Sequence, residues 1–228
     1  MAFARAYMLL RESAGASRLQ RLLHKLGAAD SIVHCLNTSD SPEVLGWAAR
    51  AVGCLMRPNS ADMAKALLEA GAAKGLARLP RVLPTEEVAP LESFAFTIQR
   101  FCAAEWGDGT RKALVNAGVV DSLLAALRTA ADVPAPNVHK ELAHAISFLG
   151  DVGGGELRKE IQRAGGVDIL KKVGASGNKD VAKACSIAVT TMTGNIFTRN
   201  TGLSCSPLLP YPRLLSSCDS ISENSYGS

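Results

Sequence analysis

Apolar residues in this chain fall into paired helical stripes, and the pair recurs four times. In residues 111–127, Ala113, Leu114 and Ala117 recur at helical spacing before Gly118. After the glycine, Val120, Leu123, Leu124 and Leu127 follow at i, i+3, i+4 and i+7. The same phrase is centred on Gly27, Gly71 and Gly165, and successive glycines lie 44, 47 and 47 residues apart. Asp30, Asp121 and Asp168 come three residues after their glycines, where the second copy has Lys74. Glycine supplies the permissive backbone of a tight helix-to-helix corner. An acid in the first turn of the following helix caps it or complements its dipole. Gly27, Gly71, Gly118 and Gly165 are therefore structural corners.

A third helix follows each phrase. The pattern predicts helices over 43–56, 91–103, 137–150 and 179–193, aligned on Ala48, Ala95, Ala143 and Ala184. Pro58 stops the first of these. The segment with Pro80 and Pro84 reads as a loose connection, and Thr85 as the start of the helix after it. Asn137 is the expected cap of the next. The glycine run after Asp151 reads as an inter-repeat turn. A phosphate cradle would need a preceding strand and a Gly-Lys-Ser/Thr or G-x-G-x-x-G arrangement, which the sequence lacks.

A period in the mid-forties marks a helical solenoid or array. With three helices per period, residues 18–194 resemble the armadillo repeat family; two helices would point to the HEAT arrangement. The resemblance implies an all-α, right-handed superhelical solenoid of about four armadillo-like three-helix repeats. Residues 1–17 read as an N-terminal capping helix or short leader, with Phe3, Tyr7, Met8 and Leu10 as its apolar positions. Residues 195–228 read as a Ser/Pro-rich disordered tail in which Pro207 to Pro212 could form a short polyproline-type ligand.

Composition agrees: the 228 residues are 47% hydrophobic but only 5% aromatic, which suits close-packed helices. The net charge of +4 sits at the start, where Arg5, Arg11, Arg18, Arg21 and Lys25 face only Glu12. The rest of the chain balances, a poor footprint for nucleic acid. No apolar run is long enough for a membrane span. Cys35, Cys54, Cys102 and Cys185 occupy apolar helix positions with no C-x-x-C pair, which fits a reducing compartment. The expected location is cytoplasmic, with the nucleus as a second option. An organelle presequence is the lesser reading of the basic start, because the repeats begin at about Leu19.

No nucleophile, metal or kinase motif surrounds His24, His34, His139 or His144. The chain is read as a non-enzyme without cofactor or metal. In armadillo proteins the third helices line a concave groove, so the resemblance implies a protein or peptide partner lying along it. The family's peptide-binding members carry a ladder of Asn, often with Trp, on those helices. Here Cys54, Phe101, Phe148 and Thr190 stand in place of Asn, and Arg50, Thr97, Ala145 and Ser186 in place of Trp, with the register open by one residue. Trp47, Arg50, Gln99, Arg100, His144 and Lys183 are the candidate groove contacts. The function expected is an interaction scaffold or adaptor. The alternative is a fragment of a longer array, or a module that self-associates through an open solenoid end.

Overall fold

The computed structural model describes residues 22–23, 25–57, 59–104 and 108–194. The predicted leader over 1–17, the predicted tail over 195–228 and Pro58 lie outside these. The described residues are helical, without strand, and build four repeats. Residues 22, 23 and 25 carry the start of repeat one, followed by α1 (Ala28–Thr38) and α2 (Pro42–Leu55). Repeat two is α3 (Ala61–Glu69), α4 (Ala72–Val82) and α5 (Ala89–Ala103). Repeat three is α6 (Asp108–Asn116), α7 (Val119–Ala130) and the first part of α8 (Pro136–Arg163). The remainder of α8, with α9 (Gly166–Gly174) and α10 (Lys179–Thr193), forms repeat four.

All four corners are where the repeat pattern puts them. Gly27, Gly71, Gly118 and Gly165 have φ of 69°, 97°, 77° and 77°, the left-handed region that a Cβ penalises. The N–H groups of Gly71, Gly118 and Gly165 donate to Leu68, Val115 and Gln162 at 3.0, 2.9 and 3.0 Å, closing the end of the incoming helix. At Gly118 the chain bends by 62° between 109–116 and Val119–Ala130. Asp30, Asp121 and Asp168 lie in the first turns of α1, α7 and α9, and none of these helices has a side-chain cap. Their contribution is to the helix dipole.

Helix starts depart from the expected chemistry in two places. Thr85 caps nothing: its hydroxyl donates to Glu86 at 3.0 Å, and α5 opens without a side-chain cap. Asn137 lies inside α8, which likewise opens uncapped. In both helices a proline, Pro90 or Pro136, occupies the first turn, where φ is pre-set and the missing N–H would have had no helical partner. Serines cap elsewhere: Ser41 Oγ accepts from Val44 N and Ser60 Oγ from Met63 N. Asn178 Oδ1 accepts from Asp180 N and Val181 N at the start of α10. The Pro80 segment is not a loop. Helix α4 runs through it to Val82, a tolerable arrangement because only the final turn loses a bond. The glycine run does hold the inter-repeat turn, compressed to a single residue. Helix continues on both sides of one break at Gly154 (φ 71°, ψ −168°), so repeat three passes directly into repeat four.

Repeats are joined through two layers. The second helices reach the next corner from one fixed position, ten residues after each glycine. Asn37 donates to Gly71 O at 3.4 Å and Arg128 to Ala164 O at 2.6 Å. Between them the Arg81 guanidinium lies 3.7 Å from where a Cβ on Gly118 would stand. Ser122 Oγ adds a bond to Ala77 O at 2.6 Å. The third helices α2, α5, 136–153 of α8 and α10 stack in succession. Their approach depends on small residues: a Cβ on Gly46 would lie 3.4 Å from Pro90, and one on Gly53 only 2.6 Å from Phe96. Thr97 Oγ1 donates across the same contact to Ala49 O at 2.6 Å, and Ser147 pairs with Thr191 at 2.9 Å.

Two glycines test these two roles separately. No atom lies within 4 Å of a Cβ on Gly165, so Gly165→Ala meets only the left-handed backbone cost of about 1–2 kcal/mol. Gly53→Ala improves helix propensity but drives a methyl into Phe96 and Thr97, and should still cost about 1–3 kcal/mol. Urea unfolding midpoints should fall for both. A Gly53→Ala chain as stable as the parent would contradict the close helix approach.

Candidate functional site on the third helices

Contacts between α2 and α5 settle the register along the stacked face. Pro90 and Thr97 face α2, while Gln99 faces α8. Phe101 and Ala145 belong to the contiguous apolar core, whereas Cys54 and Phe96 are buried outside it. The positions expected to hold Asn are therefore Cys54, Arg100, Phe148 and Thr190. Those expected to hold Trp are Arg50, Phe96, His144 and Ser186. This moves both positions of the second repeat and the Trp position of the third by one residue, and the amide ladder is absent in the corrected register as well.

The six candidate contacts have different fates. Trp47 and His144 are half-buried and Lys183 is exposed. Arg50 is buried, with its guanidinium 4.1 Å from the centroid of the Phe96 ring, a cation–π contact between α2 and α5. Arg57 approaches the same ring at 5.8 Å. Gln99 is buried and donates to both the carbonyl and Oε2 of Glu141, at 3.1 and 2.9 Å. Arg100 is buried and donates to Asn59 Oδ1 at 2.6 Å; Asn59 itself sits at φ 130°. Arg50, Gln99 and Arg100 thus serve contacts inside the fold, while Trp47, His144 and Lys183 keep surface.

Three further residues complete the middle of the face: Glu92, Phe96 and Glu141. Glu141 is 2% exposed, and its Oε1 has no hydrogen-bond partner among the described residues. A buried carboxylate oxygen left unmatched is costly, of order 1–3 kcal/mol or more. Burial holds the Glu92 carboxyl above its ordinary 4.5; Arg50 and Lys140 oppose the rise and Glu141 adds to it. Burial also lowers the His144 imidazole below 6.5, against the pull of Glu141 and with help from Lys140. Residues from α2, α5 and α8 therefore share one partly desolvated field. The sequence hint was a Glu three residues before His144 on α8 and a Glu four before Phe96 on α5.

No group of three or more His, Cys, Asp or Glu among the described residues could hold a metal ion. Burial raises the Cys185 thiol to about 11, so it stays protonated and unreactive. No single described helix is long and apolar enough to cross a membrane.

No protein-family model matches the chain, and no curated protein matches it. Solved structures do. A designed armadillo repeat protein, YIII(Dq)4CqI, is similar at 24% identity over 76% of this chain and 68% of its own, with a TM-score of 0.61. Two engineered proteins from a structural genomics consortium follow. One has 22% identity, covers 83% of this chain and 88% of its own, with a TM-score of 0.51. The other has 18% identity, covers 84% and 91%, with a TM-score of 0.52. The fold is an armadillo-like repeat solenoid.

The Glu92 shift fixes a pH signature. Folded Glu92 holds its proton more tightly than the unfolded chain does. Its contribution is therefore most favourable below 4.5 and is lost as pH rises through the raised folded value. Glu92→Gln should raise the urea midpoint at about pH 7 and leave it unchanged at about pH 4. An equal effect at both would remove Glu92 from the desolvated field.

Proposed function

We propose that this armadillo-like solenoid is a protein-interaction scaffold that holds an extended peptide or a partner helix along the face of its third helices. The observation that carries the reading is the unmatched Oε1 of Glu141, set among Arg50, Glu92, Phe96 and His144. A fold tolerates an unsatisfied buried acceptor where a partner's donor can complete it. Trp47 and Lys183 supply reach at the two ends of the described face, one a half-buried aromatic anchor and the other an exposed cation. The ligand's backbone is not gripped by an amide ladder, so side-chain pockets decide what binds. The reading assigns the face no catalytic step. A reducing compartment, the cytoplasm first, suits the buried thiol of Cys185.

The test is a peptide array of segments about ten residues long probed with the full chain, repeated with three variants. Trp47→Ala and Glu141→Gln should each weaken true ligands about tenfold, which is about 1.4 kcal/mol. Lys183→Glu should alter only ligands carrying charge near that end. Circular dichroism separates lost binding from lost fold. Ligands indifferent to all three changes would sink the proposal.

A further inference from the structure

The Glu141 side chain keeps one carboxylate oxygen for the fold and leaves the other open. Gln99 Nε2 on α5 donates to Glu141 Oε2 at 2.9 Å and to the Glu141 carbonyl at 3.1 Å. Oε1 has no partner among the described residues, and Glu141 is only 2% exposed. A buried acceptor in this state calls for a donor from outside the fold. A ligand backbone lying on the surface does not reach an atom so covered; a ligand side chain does.

The charges around Glu141 decide what kind of donor fits. The carboxyl groups of Glu92 and Glu141 share their surroundings with two cations, Arg50 and Lys140. His144 lies in the field of Glu141 and Lys140. Two acids against two bases leave no net charge for a ligand cation to neutralise. Burying a further cation there would carry its desolvation cost without return. The Phe96 ring, which could have held such a cation, already has Arg50 at 4.1 Å from its centroid and Arg57 at 5.8 Å. At Oε2 the fold itself uses an uncharged amide, that of Gln99. An amide also carries a carbonyl. Lys140 and His144, one residue before Glu141 and three after it on α8, have N–H groups to offer that carbonyl. A hydroxyl is shorter and lacks the second half.

We propose that Glu141 forms a subsite for a primary amide, in which an Asn or Gln side chain of the bound peptide donates its N–H to Oε1. The subsite rests on the reading of the third helices as a ligand face. It reverses the family's ladder: the amide comes from the ligand, and the protein supplies the acceptor. Selectivity follows from what each wrong guest leaves behind. An apolar side chain leaves Oε1 buried and unpaired, and a charged one unbalances the groups around it.

A random peptide library selected on the full chain tests it. Binders that weaken about tenfold with Glu141→Gln should share one Asn or Gln. In each such binder, exchanging that amide for Leu or for Lys should also weaken binding about tenfold. Lys140→Gln removes one of the two cations, so it should bring the Lys peptide closer to the amide peptide while the Leu peptide stays weak. Circular dichroism shows which variants fold. If Glu141→Gln does not, the amide, Leu and Lys peptides compared on the parent and on Lys140→Gln decide. Lys or Arg binding the parent as well as the amide does would overturn the subsite and leave the ligand face standing. So would Glu141-dependent binders that share no side chain. A library without any Glu141-dependent binder would overturn the ligand face as well.

Discussion

Two helices can be joined by a two-residue corner only if one residue takes a backbone that side chains avoid. The left-handed conformation at Gly27, Gly71, Gly118 and Gly165 meets that demand, and the other contacts inherit their geometry from it. Each corner aims a second helix at a set angle, which places the third helix beside its predecessor. The spacing of the stack is then set by what little bulk Gly46 and Gly53 present to Pro90 and Phe96. Corner and stack depend on the same property of glycine for opposite reasons, freedom of φ in one case and absence of a Cβ in the other.

That dependence explains which parts of the molecule could be read in advance. A residue forced by sterics recurs visibly, so the four corners, the three-helix period and the third-helix bounds were evident from the residue pattern. Features set by several weak alternatives were not. Thr85 and Asn137 look like caps, yet a first-turn proline suffices for α5 and α8. Pro80 looks like a break, yet the helix tolerates it near its end, while the glycine run does break the helix, at Gly154 alone. The face of the third helices was legible to within a residue, which is enough to exchange Thr97 for Phe96. The pairing of Gln99 with Glu141 depends on two helices about forty residues apart in sequence, and local pattern carries no trace of it.

The middle of that face is also where local consistency fails. Many other buried positions of the third helices are apolar or hydrogen-bonded, as with Thr97 and Ser147. Around Glu141 a carboxylate is buried with one oxygen unmatched, a second carboxyl is held protonated beyond its ordinary range, and a histidine is pushed toward neutrality. Arg50 and Lys140 offset part of the cost. A solenoid built only for stability would do better with leucines here, and departures of this kind tend to mark the sites proteins use.

The side chain ten residues past each corner has a further effect, on cooperativity. In a repeat array, stability divides into terms internal to each unit and coupling terms between neighbours. Asn37, Arg81 and Arg128 each bring a polar group from one unit to the corner of the next, and Asn37 and Arg128 bond a carbonyl there. Opening one corner therefore releases a donor in the unit before it, so disorder is transmitted stepwise along the array. In the fourth repeat the same position is Ala175, which has nothing to transmit. Each described repeat is therefore tied to the next through its corner, the fourth to the third by Arg128 and Ala164.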